Sequence, residues 1–521
     1  MKTIPSIVVR AANNFGPAPA LEEGGDVWTY AELKDRMDRA AAAFIAAGLD
    51  AGDRVAIWAP NCRDWIVAAL GVMAAGGAIV PLNTRMKGEE AAYILNKSRA
   101  TFLVTVSGFL DIDYPALLEG CDLPHLRNIL LLDGQSEVTG LLDWQDFFAA
   151  GAEVDRASVE ARRRAVMEED VSDIIFTSGT TGKPKGVPLS HGQTLSMVNC
   201  WSDHVGLRAG DRYLIVNPFF HTFGYKAGWL PCILQGATIL PHAVFDVPAI
   251  LSRIAREHIS VLPGPPTLYQ SLLSDPALDK ADISSLRLAV TGAAVIPVQL
   301  IENIRNRLGI ETVITAYGLT EACGVVTMCN PDDSDEKIAT TSGRPVEGME
   351  VRIVDDNLYD LPQGEAGEIL VRGYTVMKGY FEDEIATADA LTPDCWLRTG
   401  DIGVLDEDGY LKITDRKKDM LIIGGFNCYP AEVENIMLDH PAIAQVAVVG
   451  RSDERMGEVP VAFVVQNEEG LTEQKLVNWC RLKMANYKVP RAVYFVDVLP
   501  LNAAGKVQKF ALRERLANAT G

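Results

Sequence analysis

The sequence predicts an α/β fold: a large N-terminal domain of layered α/β sheets, a small antiparallel β subdomain and a small α+β C-terminal domain. Three observations carry this. From Val55 to Ile314, short apolar runs of strand length alternate with segments of helical period. After about Ser342 the texture changes to shorter strands punctuated by Gly/Asp turns, such as Asp408-Gly409-Tyr410. The polar run Asp415-Arg416-Lys417-Lys418-Asp419 then separates these strands from a compact tail. We therefore expect one domain over residues 1–415 and a second over 416–521. At 521 residues and 48% apolar, the chain can bury cores for more than one domain.

In chain order, Trp28-Thr29-Tyr30 leads into a helical pattern through Leu33, Met37, Ala40, Ala41 and Phe44 that ends at Gly48, and Val55 to Trp58 reads as a buried strand. The uncharged stretch Trp65 to Leu82 is interrupted by Gly76-Gly77 and Pro81, so it reads as helix then strand and not as a membrane span. Further strands are expected at Leu103–Thr105, Ile129–Leu131, Tyr213–Val216, Ala237–Leu240 and Ile259–Leu262. A strand from Leu286 to Val290 runs into Thr291-Gly292-Ala293-Ala294. Pro297 then opens a helix that Gly309 stops, and the strand Thr312–Ile314 ends at Ala316-Tyr317-Gly318-Leu319-Thr320-Glu321. Two neighbouring strand ends thus present small residues, an aromatic and a carboxylate, which suits a nucleotide base and metal-bound phosphates. The tail holds a helix opened by Pro430, strands at Val446–Val449 and Val461–Val465, a helix near Lys475 to Met484, and Gly505-Lys506.

The stretch with the plainest chemistry is Thr177-Ser178-Gly179-Thr180-Thr181-Gly182-Lys183-Pro184-Lys185-Gly186, bracketed by apolar strand patterns at Ile174–Phe176 and Val187–Leu189. Glycines let backbone amides close around an anion, hydroxyls donate further hydrogen bonds and lysines add mobile positive charge. It is not a Walker loop: Gly179 and Gly182 are too close, and Pro184 after Lys183 prevents the helix that a Walker loop opens.

A net charge of −21 argues against a nucleic-acid or anionic-membrane surface, so polyanionic ligands must be met locally. The N-terminus lacks an apolar signal core. Nine cysteines without CxxC pairs point to reduced thiols in a cytoplasmic protein and against structural zinc. The oligomeric state is open, a homodimer being one option.

Together the loop at 177–186, Asn217-Pro218-Phe219-Phe220-His221, Gly292-Ala293-Ala294, Tyr317-Gly318-Leu319-Thr320-Glu321, Thr399-Gly400-Asp401, Asp415 to Asp419, Gly424-Gly425-Phe426-Asn427 and Gly505-Lys506 resemble, in order and spacing, the adenylate-forming superfamily of acyl- and aryl-CoA synthetases, adenylation domains and firefly luciferase. The wording from Asn217 to Gly228, with Leu262 to Thr267 and Leu499 to Lys506, looks like a bacterial subgroup that activates a bicyclic indane-dione propionate left from sterol rings. The resemblance implies a carboxylic acid, ATP, Mg²⁺ and coenzyme A as ligands. The carboxylate attacks the α-phosphate, pyrophosphate leaves, and CoA thiol then displaces AMP from the acyl-adenylate.

Carried onto this sequence, the resemblance gives Thr177, Ser178, Gly179, Thr180, Thr181, Gly182, Lys183 and Lys185 the β- and γ-phosphates, and gives Glu321 the Mg²⁺ ion, with Thr320 beside it. Tyr317 would stack on adenine, with Gly292, Ala293, Ala294 and Gly318 lining the slot. Asp401 would take the ribose hydroxyls, with Arg416 nearby. Lys506 would bring positive charge to the reacting carboxylate and α-phosphate. Lys418 matches a hinge about which the tail swings, so that Gly424 and Gly425 come to line a pantetheine tunnel. His221 matches a gate between acid and phosphates. The bland readings are core packing for Tyr317 and His221, a helix-start carboxylate for Glu321 and a turn residue for Asp401.

Phe219, Phe220, Phe223, Tyr225 and Trp229 cluster beside the gate and favour a bulky apolar acid, although some of them are expected to be core. Where amino-acid-activating relatives carry an Asp, this chain has Thr222 or Phe223, which disfavours an amino acid. Lys226 stands in an apolar setting: facing the pocket it could hydrogen-bond a ring ketone, and facing solvent it would carry no such meaning. A medium- or long-chain fatty acid, a carrier-protein thiol as acceptor, and a silent acyl-adenylate sensor are the competing readings.

Overall fold

The computed structural model describes all residues except 1–2, 178–182, 293–295, 417–418, 424–425, 454–455, 468–469, 485, 502–506 and 520–521. The first sheet has seven strands in the order Lys185–Ser190, Val171–Thr177, Ala78–Pro81, Arg54–Trp58, Phe102–Thr105, Asn128–Leu131 and Leu142–Asp143. All its pairings are parallel except the antiparallel hairpin of its first two members. Strands 78–81 and 102–105 are buried at every position, as a parallel sheet covered on both faces requires. The helix Arg63–Ala74 is buried from Trp65 to Ala74, which is why its sequence looks apolar all round.

A second sheet is mixed. Asp26–Thr29, Pro19–Glu23, Thr238–Pro241 and Arg212–Ile215 form one half; Leu288–Gly292, Thr312–Tyr317, Thr327–Met328 and Arg344–Pro345 form the other. The run Ile259–Leu262, expected as a strand, supplies only Val261, which bridges Tyr213 and Leu288 in parallel and so joins the halves. Pro263, Pro265 and Pro266 follow at once, and residues without N–H groups cannot continue a ladder. The helix Val298–Leu308 begins after Pro297 and ends at Gly309, whose φ of +68° is the left-handed stop that the sequence suggested.

The antiparallel subdomain is the four-stranded meander Met349–Val354, Gly367–Gly373, Leu397–Leu405 and Leu411–Arg416. Beyond it, Phe426–Cys428, Leu421–Ile423, Gly457–Gln466 and Ile443–Asp453 form an antiparallel sheet to which Ala492–Phe495 adds in parallel. Its two faces bury different residues. Val446, Val448, Ala462 and Val464 pack with the helices Pro430–Leu438 and Glu473–Lys483, while Ala447, Val449, Val461 and Phe463 pack with Leu512 and Leu516. That alternation is the period-two pattern of a sheet covered on both sides. The buried members of these two clusters all lie between 421 and 516. Among the described residues no helix is long and apolar enough to cross a membrane, and none of the nine cysteines forms a disulfide.

Candidate active site

The candidate phosphate loop joins two strands paired as a hairpin. Phe176 pairs with Gly186 and Thr177 with Lys185 in antiparallel register, so both end residues of the stretch sit on strands and only 178–184 lies between them. This narrows the sequence reading, which counted Lys185 as loop: its Cα is fixed by the ladder and its mobility lies in the side chain. Lys185 Nζ stands 5.1 Å from the ring centre of Tyr380, and Lys183 Nζ stands 5.5 Å from that of Tyr93. The Tyr93 hydroxyl also donates to the Pro184 carbonyl at 3.2 Å, tying the loop's exit to the helix Gly88–Ser98. The descending strand is held from a third side, where the Phe381 N–H donates to the Gly186 carbonyl at 2.8 Å.

Glu321 sits in a single 3₁₀ turn, Thr320–Ala322, directly after the strand that ends at Tyr317. One of its oxygens, Oε1, accepts from the Thr177 hydroxyl at 3.1 Å and from the Tyr380 hydroxyl at 3.0 Å. Its backbone carbonyl accepts from the Met377 N–H at 2.8 Å. The candidate metal ligand therefore meets the first residue of the candidate phosphate loop. Tyr380 was not foreseen. Burial chiefly, and the Glu321 charge next, push its phenol well above the usual range, so it stays protonated as a donor.

The Tyr317 hydroxyl donates to Asp401 Oδ2 at 2.7 Å, and both residues are buried. Asp401 follows Gly400, whose φ is +69°, and its N–H donates to Thr399 Oγ1 at 3.1 Å. The candidate adenine and ribose residues, far apart in sequence, are thus in contact. At Gly292 a Cβ would stand 2.6 Å from the Ala316 carbonyl oxygen, and at Gly318 one would stand 2.0 Å from that of Gly324. Neighbouring backbone alone forbids a side chain at both positions, a stronger constraint than the ligand slot inferred from sequence.

His221 caps the short turn Thr222–Gly224, its Nδ1 accepting from the Phe223 N–H at 3.2 Å. Gly224 leaves no room for a Cβ, which would meet the Asn217 and Pro218 carbonyl oxygens at 2.3 Å. Asn61, which sequence reasoning missed, holds this segment. Its amide donates to the carbonyls of Ile215 and Asn217 at 3.1 and 2.9 Å, and its Oδ1 accepts from the Phe219 N–H at 2.7 Å. Of the five aromatics, Phe219, Tyr225 and Trp229 are fully buried around Trp65, with Tyr225 and Trp229 stacked 5.0 Å apart. Phe220 and Phe223 are half-buried.

Lys226 does not reach solvent. It lies in a π turn, Tyr225–Trp229, with no exposed surface, and its Nζ is 2.8 Å from Asp173 Oδ2, itself fully buried. It also donates to Thr194 Oγ1 at 3.1 Å and lies 3.6 Å from Cys323 Sγ. With a buried counter-ion and two further partners the ammonium is held inside the fold and faces neither solvent nor an open pocket, so the expected bond to a ring ketone is corrected. Burial pushes the Cys323 thiol up, partly offset by the Lys226 charge.

Ser178, Gly179, Thr180, Thr181, Gly182, Ala293, Ala294, Lys418, Gly424, Gly425 and Lys506 lie outside the described residues, and of Arg416 the structure describes only the backbone, paired in register with Asp401. A polar cleft of about 600 Å³, lined by Arg208, Asp211, Ser260, Ser285 and Arg287, contains none of the candidate residues.

Residues 8–381 match the AMP-binding enzyme family and residues 432–506 the AMP-binding enzyme C-terminal domain. The chain is 48% identical to the 3-[(3aS,4S,7aS)-7a-methyl-1,5-dioxo-octahydro-1H-inden-4-yl]propanoyl:CoA ligase of Rhodococcus jostii (strain RHA1), covering 98% of each chain. It is equally 48% identical to the ligase of the same name from Mycobacterium tuberculosis (strain ATCC 25618 / H37Rv), covering 99% of each. Among solved structures it resembles the anthranilate CoA ligase AuaEII in complex with anthranoyl-AMP, with a TM-score of 0.88 at 29% identity over 99% of this chain and 98% of that one. Thr177 against Glu321 and Tyr317 against Asp401, on a scaffold matched from end to end, lead to one assignment: the chain belongs to the AMP-binding enzyme family and is an AMP-forming acyl-CoA synthetase that uses ATP, Mg²⁺ and coenzyme A.

Proposed function

We propose that the acid activated by this synthetase is a bicyclic diketo propionate of the indane-dione type, derived from sterol rings. The observation that carries this is 48% identity over 98% of the chain to a ligase named for that acid. Two features beside the gate support a bulky ring carrying acceptors. Phe220 and Phe223 are only half-buried, and the indole N–H groups of Trp65 and Trp229 are buried without an acceptor among the described residues.

In the first step the acid and MgATP, both anionic, must be brought together. Thr177, Lys183 and Lys185 with the loop between them bind the β- and γ-phosphates, so the charge of the departing pyrophosphate is met at the hairpin. Tyr317 and Asp401 hold the adenosine, and His221 stands between acid and phosphates. Glu321 would hold Mg²⁺, which neutralises phosphate charge; an oxygen ligand with one partly vacant carboxylate fits a hard cation. Lys506 brings positive charge to the α-phosphate and the carboxylate. A hinge near Lys418 between residues 1–415 and 416–521 then removes Lys506 and admits CoA past Gly424 and Gly425, which lets one site run two chemistries. Nine cysteines that form no disulfide support a cytoplasmic location, and a homodimer is the assembly we propose.

ATP–pyrophosphate exchange across a panel of medium-chain fatty, aryl and bicyclic keto acids tests the substrate. The bicyclic diketo acid is expected to give the highest kcat/KM, by roughly tenfold or more over a fatty acid of similar size, the scale on which pockets discriminate shape. A preference for the fatty acid would overturn this reading.

A further inference from the structure

Tyr380 has no ligand assigned to it in the proposed function, yet three segments of the site converge on it. Its hydroxyl donates to Glu321 Oε1, the same oxygen that Thr177 Oγ1 reaches. Its ring lies under Lys185 Nζ. On its two sides in sequence, the Met377 N–H donates to the Glu321 carbonyl and the Phe381 N–H to the Gly186 carbonyl. Its own N–H donates to Thr387 Oγ1 at 2.9 Å, on the helix Glu384–Ala390. Gly379 makes this approach possible: at its φ of +152° a Cβ would stand 2.8 Å from Thr387 Cγ2. Backbone bonds on both sides therefore fix the phenol while it points at the carboxylate.

The geometry at Glu321 is asymmetric. Both donors occupy Oε1, and Oε2 has no partner among the described residues. A carboxylate held at one oxygen presents the other in a defined direction, as outer partners of metal-ligating groups do. We propose that Tyr380 is a positioning residue that clamps Glu321 Oε1, so that Oε2 is aimed at the divalent cation accompanying ATP, and that it couples this aim to the exit of the phosphate hairpin. The inference rests on Glu321 being the metal ligand.

Binding of Mn²⁺ to the enzyme–ATP complex, read by electron paramagnetic resonance, separates the two ideas. Tyr380→Phe keeps the ring and its contact with Lys185 but loses the donor. It is expected to weaken Mn²⁺ binding about tenfold, the scale of outer-partner losses, while affinity for ATP in excess chelator stays within twofold of the wild type. Glu321→Gln should weaken Mn²⁺ at least as much. Wild-type Mn²⁺ affinity in Tyr380→Phe together with loss in Glu321→Gln overturns the role of Tyr380 alone. Wild-type affinity in both overturns the metal role of Glu321 and this inference with it. Equal weakening of metal-free ATP and Mn²⁺ in Tyr380→Phe would mark a general disturbance of the site and also overturn it.

Discussion

A charged side chain in an apolar stretch must either reach water or bring a counter-ion into the interior. Lys226 takes the second course with Asp173 at 2.8 Å, and neither has exposed surface. Removing one member leaves an uncompensated buried charge, whereas removing both can be nearly neutral. Lys226→Met is therefore expected to destabilise the protein by about 3–5 kcal/mol, and Lys226→Met with Asp173→Asn to recover most of that, measured by denaturant unfolding. The local sequence could not disclose this, because Asp173 sits far off on the strand Val171–Thr177 and reads there as an interruption of an apolar run. Residues proposed to meet ligand through a motif, such as Thr177, Glu321 and Asp401, were legible. Those that hold neighbouring segments or side chains, Asn61, Asp173 and Tyr380, were not, since contacts across elements leave no local pattern.

Among the elements, the helix His191–Val205 joins sequence logic to a pH response. Ser190 caps it, accepting from the Gln193 N–H, and Gly206 closes it at φ +66°. Its first residue, His191, is buried, with Nδ1 accepting from the Ile4 N–H at 3.3 Å. Burial chiefly, with the Lys226 charge adding and Asp170 opposing, lowers its pKa to about 4. The unfolded chain, with a histidine of ordinary pKa, binds the proton more readily, so this residue's stability contribution is full above about pH 6.5 and is lost as pH falls toward about 4. The loss amounts to about 3 kcal/mol. His191→Gln is expected to flatten the fall in stability between pH 7 and pH 4 relative to wild type, as followed by urea unfolding at each pH. Element types were largely legible from period and caps. Boundaries were less so: Val261 kept only a bridge because prolines follow it, and the π turn at Tyr225–Trp229 has no signature in residue spacing.

For the whole molecule, the order of layered sheets, antiparallel meander and compact tail could be read because each change of architecture changes the texture of the sequence. The tail's sheet buries its two faces in clusters drawn from residues 421–516, an internal core that supports the proposed separate C-terminal body. If Lys506 serves only the first step, Lys506→Ala should slow ATP–pyrophosphate exchange on the order of a hundredfold. Thioester formation from preformed acyl-adenylate should remain within a few-fold of wild type, and stopped-flow assays of the two half-reactions would compare them. Equal loss in both would mean that the residue acts throughout.

The Lys226–Asp173 pair also constrains how this sequence can change over time. Each member alone is a poor site for a neutral substitution, because the intermediate carries an unpaired charge in the core. Descent can alter the pair only by a compensated double step, so positions 173 and 226 are expected to be either both charged or both neutral across relatives, and the strand Val171–Thr177 inherits the history of the turn Tyr225–Trp229.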